Sequence, residues 1–274
     1  GPHGRLGMWG IVPAAGTGSR IQPLAFSKEL LPVGIRLDGS TERPCAVGEY
    51  LVERMIRGGA EKICFVIAPG KSDIVEYFGT GYGTASFAYV VQPQPVGLCD
   101  AIFRASALVH PDEMVTVGLP DTIWFPETAL AELPDALSFL LFPVRHPELF
   151  DAVVLSANGL VREIQVKREG PDSDWIWGAF KMPGHVLHAL HQLWLTRGRR
   201  DEYVGSLINA YIAEGGEAVG VKAGQAYVDV GTLHGYRAAI NLLGESGTGE
   251  ADRFAGARVT LGWPDTRAGR AGGR

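Results

Sequence analysis

The stretch from Trp9 to Val33 constrains this chain more than any other. It opens on an apolar run, Trp9-Gly10-Ile11-Val12-Pro13, with the length and character of a buried strand. A loop of small residues follows, Ala14-Ala15-Gly16-Thr17-Gly18-Ser19-Arg20. Glycine lets backbone N–H groups turn inward and approach a bulky ligand. Successive inward N–H groups form an anion-binding concavity. Arg20 can then grip phosphate oxygens as a fork, and Lys28 can hold them as a point charge. Strand, cradle and two cations together point to a nucleoside triphosphate site. Two better-known phosphate loops do not fit. No Gly-x-x-x-x-Gly-Lys-Ser/Thr run is present, and Ile21 stands where a dinucleotide fingerprint has its third glycine.

The rest of the chain bounds the reading. With 274 residues and 46% hydrophobic content, it can bury the core of one large α/β domain. A net charge of −5 gives no general attraction to nucleic acid, so a polyphosphate must be held by local cations. No apolar run reaches membrane-spanning length; Leu137 to Val144 is among the strongest and is far too short. Residues 1–7 lack the apolar segment of a signal peptide and read as a tag remnant before Met8. Three cysteines, Cys45, Cys64 and Cys99, without Cys-x-x-Cys spacing, argue against a disulfide framework or a zinc site. Reduced thiols and a cytoplasmic setting are the expectation.

Strand and helix patterns alternate through the first half. Helical spacing covers Ala46 to Arg57, Lys71 to Phe78 and a segment opening at Val96. Apolar runs cover Lys62 to Ala68, Ser86 to Val91 and Met114 to Leu119, the last ending at Pro120-Asp121. Leu37 to Pro44 reads as a polar loop. Such alternation predicts βαβ units with right-handed crossovers. The second half is less regular. Asn158-Gly159 marks a hairpin between Ala152–Ser156 and Leu160–Val166. Helices are predicted at Pro183–Leu195, Tyr203–Glu214 and Leu233–Leu243. Residues 244–274, rich in Gly, Ala and Arg, predict a poorly ordered tail after a single 8–243 domain.

The ordered pattern Gly16-Thr17-Gly18-Ser19-Arg20, Pro23, Lys28-Glu29-Leu30-Leu31-Pro32 closely resembles the signature of the sugar-1-phosphate nucleotidyltransferases. The resemblance spans about Met8 to Leu243. It implies a Rossmann-like three-layer αβα fold with a mixed, mostly parallel central sheet. It also implies an enzyme that joins a nucleoside triphosphate to a sugar 1-phosphate. On that resemblance Ala14 to Ser19 cradle the nucleotide, and Gln92, Pro93 and Gly97 border the base. An amide such as that of Gln92 can pair with a pyrimidine edge. Asp121 and Asp229, the latter in Asp229-Val230-Gly231-Thr232, match the family's two metal carboxylates, which implies Mg²⁺. From the residues alone, Asp121 is equally a helix N-cap and Asp229 a turn residue.

The sugar side departs from the pattern. Lys167 matches the lysine of the family's Glu-Lys-Pro, which touches the sugar phosphate. The glutamate's place is taken by Val166 and the proline's by Arg168. Trp177-Gly178 matches a strand bordering the family's sugar pocket, with Trp175 and Trp177 unusually bulky there. Asp151 stands where many relatives have glycine. His185, His188 and His191 recur every three residues, a spacing that drifts around a helix and reads as a partly solvated face. The expectation is therefore a transferase in which Arg20, Lys28 and Lys167 carry the chemistry. The favoured nucleotides are dTTP or UTP and the favoured sugar is glucose 1-phosphate. A transferase using CTP or GTP or another sugar phosphate, and a non-catalytic nucleotide sensor that lost turnover, stay open. No nucleic-acid or membrane partner is implied, and homo-oligomerisation is left open.

Overall fold

The computed structural model describes residues 6–244. Of the expected tag remnant (1–7) and the expected tail (244–274), residues 1–5 and 245–274 lie outside the described residues. In chain order the elements are β1 (Met8–Ala14), β2 (Pro32–Asp38), β3 (Thr41–Ala46), α1 (Val47–Arg57), β4 (Ala60–Ile67), α2 (Ser72–Phe78), β5 (Gly81–Tyr82) and β6 (Ala85–Val91). They continue with α3 (Leu98–Arg104), β7 (Met114–Gly118), β8 (Thr122–Phe125), β9 (Ser138–Pro143), β10 (Asp151–Leu155), β11 (Val161–Val166) and β12 (Trp175–Pro183). The last are α4 (Gly184–Thr196), α5 (Val204–Ala213), β13 (Val219–Val221), β14 (Ala226–Asp229) and α6 (Leu233–Gly244).

Among the described residues, ten strands form one sheet in the order β11-β10-β12-β7-β1-β4-β6-β5, with β9 on β12 and β13 on β9. The centre is parallel: β1 pairs with β4 and β7, and β4 with β6. Beyond β7 the neighbour β12 runs antiparallel, so the sheet is mixed. Side chains of β1 divide between two cores, as strand alternation requires. Trp9 and Ile11 join Phe103, Leu187 and Ile208 on one face; Val12 and Ala14 join Leu51, Met55 and Ile74 on the other. Helices therefore cover both faces, and the architecture is the expected αβα sandwich. Burial of β1 on both sides is why its sequence reads as a continuous apolar run.

Two small sheets complete the site edge: β2 with β3, and β8 with β14. The segment read as a loop at Leu37 to Pro44 is instead the β2–β3 hairpin. It turns at Gly39, whose φ of +63° suits glycine. Its alternation is masked by Pro44 and by charged residues that pair across the hairpin, such as Arg43 with Asp38 at 2.8 Å. Cys45, Cys64 and Cys99 are buried free thiols, and burial pushes each up to about 12. Among the described residues no helix is long and apolar enough to cross a membrane.

Candidate active site

The loop after β1 sits at the carboxyl edge of the parallel strands, where open α/β sheets bind ligands. Gly18 takes φ +67°, and a side chain there would meet the stem of Lys28 at 2.7 Å. Among the described residues, the backbone N–H groups of Gly16 to Arg20 donate to no protein group. A cleft of about 360 Å³ opens beside them, lined by Ala15, Gly16, Thr17, Lys28, Gly70 and Lys71.

Four charged side chains meet at this edge. Lys28 Nζ donates to Asp121 Oδ2 at 3.1 Å. Arg20 donates through Nη2 to Asp229 Oδ2 at 3.4 Å. The β8–β14 ladder brings the two aspartates together: Asp229 pairs with Thr122, and the N–H of Val230 donates to the carbonyl of Asp121 at 2.7 Å. Gly231 fixes the centre. A Cβ at that position would lie 2.7 Å from Asp121 Oδ2 and 3.0 Å from both Arg20 Nη2 and Asp229 Oδ1. Its N–H donates to Asp229 Oδ1 at 2.7 Å.

The electrostatics follow from that crowding. Burial and the neighbouring Asp121 charge hold Asp229 above the usual carboxylate range, against the pull of the Gly231 N–H and Arg20. Burial works against the Lys28 charge, but the carboxylates of Asp121 and Glu29 outweigh it and keep its pKa raised. Two carboxylates forced together and compensated by cations are a donor set that suits a hard divalent ion. Among the described residues no group of three or more His, Cys, Asp or Glu could hold a metal. Mg²⁺ needs no more than a carboxylate or two when phosphate and water fill the remaining positions.

The base-side and sugar-side residues are placed differently from a simple reading. Gln92 is 4% exposed. Its amide is turned inward and donates to the Gly97 carbonyl at 3.2 Å and to Asp100 at 2.8 Å. It braces the turn that carries exposed Pro93, while Gly97 lies against the backbone of Glu202. Lys167 is exposed at the end of β11, with φ +45° and its ammonium 5.3 Å from the centre of the Tyr203 ring. Val166 is half-buried, and its methyl lies 2.6 Å from where a Cβ on Gly205 would sit, so it packs on α5. Trp177 is 5% exposed and packs on Phe139 and Phe180. Its ring is spent in the core, in one buried cluster with Leu187 of α4 and with Leu207 and Ile208 of α5, so it does not border an open sugar pocket. Its Nε1 donates to Asp151 at 3.2 Å. Gly178 is buried, with the rings of Phe142 and Tyr227 filling the space a side chain would need. His188 and His191 pack against the Val109 carbonyl and the Phe103 ring, and His185 is exposed.

One contributor has no motif to announce it. Lys71, just before α2, donates to the carbonyls of Ala14 at 2.6 Å and Gly16 at 2.9 Å, and to Glu29 at 2.8 Å. In sequence it reads as a solvated lysine opening a helix.

Comparison with known proteins bears on this geometry. The family model described as nucleotidyl transferase matches residues 9–246. The UTP–glucose-1-phosphate uridylyltransferase AglF of Haloferax volcanii is 25% identical over 272 residues, 95% of this chain and 93% of the relative. A UTP–glucose-1-phosphate uridylyltransferase of Streptococcus pyogenes is 25% identical over 130 residues, 39% of this chain and 40% of its own. Among solved structures, a Bacillus anthracis chain designated a glucose-1-phosphate thymidylyltransferase, solved with sucrose, superposes with a TM-score of 0.73. That match covers 90% of this chain and 99% of the other at 24% identity, and it speaks to the fold.

Proposed function

Because this chain belongs to the nucleotidyl transferase family, we propose that it joins a nucleoside triphosphate to a sugar 1-phosphate. The products are a nucleotide-sugar and pyrophosphate. The observation that carries this reading is the meeting of Arg20, Lys28, Asp121 and Asp229 around Gly231, beside the unpaired N–H groups of the glycine loop. A triphosphate and a divalent ion are the ligand pair that two cations, two carboxylates and a nest of N–H groups can hold together.

In the reaction, an oxygen of the sugar phosphate attacks the α-phosphorus. The bond from that phosphorus to the bridging oxygen breaks, and pyrophosphate leaves with the electron pair. The attacker is already an anion, so no protein nucleophile is required, and catalysis is positioning plus charge neutralisation. The N–H groups of Gly16 to Arg20 face the phosphate chain, and Arg20 and Lys28 hold the leaving pyrophosphate. Lys167 holds the sugar phosphate; its exposed ammonium above Tyr203 leaves it able to turn toward an anion. Asp121 and Asp229 would hold Mg²⁺. When bound, that ion supplies Lewis-acid neutralisation of the reacting phosphate.

UTP or dTTP with glucose 1-phosphate are the substrates of choice. Curated relatives of this chain are UTP–glucose-1-phosphate uridylyltransferases, and a neighbour in fold carries the thymidylyl name. The test is pyrophosphate release over a grid of triphosphates and sugar 1-phosphates. Turnover confined to one or a few pairs supports the reading. Tight triphosphate binding with no turnover on any pair would convert the chain into a nucleotide sensor.

A further inference from the structure

We propose that Lys71 is a positioning residue for the triphosphate cradle: it holds the turn after β1 with its carbonyls inward and so leaves the loop N–H groups for phosphate. The inference rests on the nucleotidyltransferase reading above and assigns a role to a lysine outside its motif.

The geometry is that of a three-way clamp. An ammonium has three donors and no acceptor. Here all three are used, on the carbonyls of Ala14 and Gly16 and on Glu29 Oε1. Those carbonyls would repel a phosphate if they turned toward it. Pinned to Lys71, they fix the peptide planes, and the N–H groups of Gly16 to Arg20 remain without a protein partner among the described residues. The clamp is built rather than incidental: the side chain of Lys71 is 13% exposed and that of Glu29 2%. A buried pair of this kind is costly to break from one side, because the remaining charge is left uncompensated.

The clamp also ties two walls of the cleft to each other. Glu29 is the immediate neighbour of Lys28, so Lys71 links the glycine loop to the segment that carries a site cation. Two residues on, Asp73 accepts from the Ser27 N–H at 2.7 Å and the Ser27 hydroxyl at 2.5 Å. The entry to α2 thus grips both the 14–16 turn and the 27–29 segment. Lys71 itself lines the cleft, but its ammonium is saturated by protein acceptors, so it acts through the loop and not on the substrate.

The experiment compares the full chain with Lys71→Met, which keeps the stem and removes the charge, and Lys71→Arg, which keeps the charge. The first readout needs no ligand. Trypsin cleavage after Arg20 in the native protein reports loop opening, since local fluctuation governs such cuts. Lys71→Met is expected to be cut several-fold faster and Lys71→Arg to lie between it and the parent. The second readout is calorimetric affinity for UTP or dTTP with Mg²⁺. It is expected to weaken by about tenfold or more in Lys71→Met, with KM for the sugar phosphate nearly unchanged. Equal cleavage and equal triphosphate affinity in a folded Lys71→Met would overturn the assignment. If that variant does not fold, Glu29→Gln serves instead, with the same direction expected in both readouts and the same equalities overturning it. A parent that binds no triphosphate refutes the nucleotidyltransferase reading, while the ligand-free cleavage still judges the clamp.

Discussion

Lys28 and Asp121 are 93 residues apart in the chain, yet the lysine ammonium donates to the aspartate carboxylate at 3.1 Å. Arg20 and Asp229 repeat the arrangement across 209 residues. The site without ligand therefore neutralises itself, cation against carboxylate. A triphosphate alone would take the cations and leave two crowded carboxylates facing it uncompensated. Binding and turnover should both require a divalent ion. Asp121→Asn and Asp229→Asn should each lower kcat by about a hundredfold or more, as loss of a transition-state electrostatic partner does. Turnover that persists in excess EDTA would take the metal role away from this pair.

Arg20 should act late. Its side chain is 59% exposed and meets Asp229 only at 3.4 Å, so it is free to follow charge as it develops. Leaving-group charge grows in the transition state, and an interaction made mostly there shows up in kcat. Arg20→Ala should lower kcat far more than it raises KM for the triphosphate. A variant with higher KM and unchanged kcat would mark Arg20 as a uniform binder.

Gly231 should tolerate nothing larger. Its would-be Cβ sits 2.7 Å from Asp121 Oδ2 and 3.0 Å from Arg20 Nη2 and Asp229 Oδ1. Gly231→Ala should abolish turnover by splaying these groups, while the melting temperature falls only modestly. Gly39→Ala is the control. Gly39 has a left-handed φ, +63°, but no atom lies within 4 Å of its would-be Cβ. That change should cost roughly 1–2 kcal/mol of stability and leave kcat intact. Equal activity in both variants would mean the crowding at Gly231 has no catalytic meaning.

The chain declared its fold and its anionic-ligand edge through residues whose meaning is local. An apolar run, a glycine loop and two cations lie within one short stretch, and each states its role by type and spacing. Asp121 and Asp229 could be named only through a resemblance, because what unites them is the β8–β14 ladder, and β8 is hidden directly after Asp121. Three site features were not legible. Lys71 gains its role from carbonyls 55 and 57 residues away, and no spacing announces a carbonyl partner. Gln92 faces inward because Asp100 and Gly97 offer it acceptors on the next turn. Trp177 loses its exposed face because α4 and α5 pack on that side of the sheet, a matter of tertiary arrangement rather than of composition.

Asp151 offers a pH test. Burial pushes its carboxyl above the ordinary value of 3.8, against the opposing pull of the Trp177 N–H and the Lys167 charge. A carboxyl raised on folding stabilises fully below its unfolded pKa, and that contribution is lost as pH rises through the folded one. At neutral pH the ionised group is thus a net cost, and Asp151→Asn should melt above the parent. The gap should close as pH falls below about 4, where both side chains are neutral. A variant less stable than the parent at neutral pH would show that Trp177 and Lys167 more than compensate the burial.

The sugar side gives the last prediction. In the resembling family a glutamate accepts hydrogen bonds from sugar hydroxyls at the position of Val166, whose side chain accepts none. Losing a hydrogen bond to a charged group costs about 1.5–3 kcal/mol, or roughly ten- to more than a hundredfold in affinity. The parent should therefore discriminate weakly between glucose 1-phosphate and its deoxy analogues, and Val166→Glu should sharpen the preference. The structure adds two conditions. Val166 packs on α5 at Gly205, so a longer side chain must run along the first turn of that helix. A carboxylate is favoured there by the N–H groups at the helix start. Asp151 also pairs directly with Val166 across the β10–β11 ladder, and opposed residues share a face of the sheet. A carboxylate already stands opposite Val166. The measurement is kcat/KM for glucose 1-phosphate against each deoxy analogue, in the parent, Val166→Glu and Asp151→Asn. Weak preference in the parent that strengthens in Val166→Glu supports the argument from valine. Strong preference in the parent that collapses in Asp151→Asn would move the hydroxyl acceptor one strand over, to Asp151.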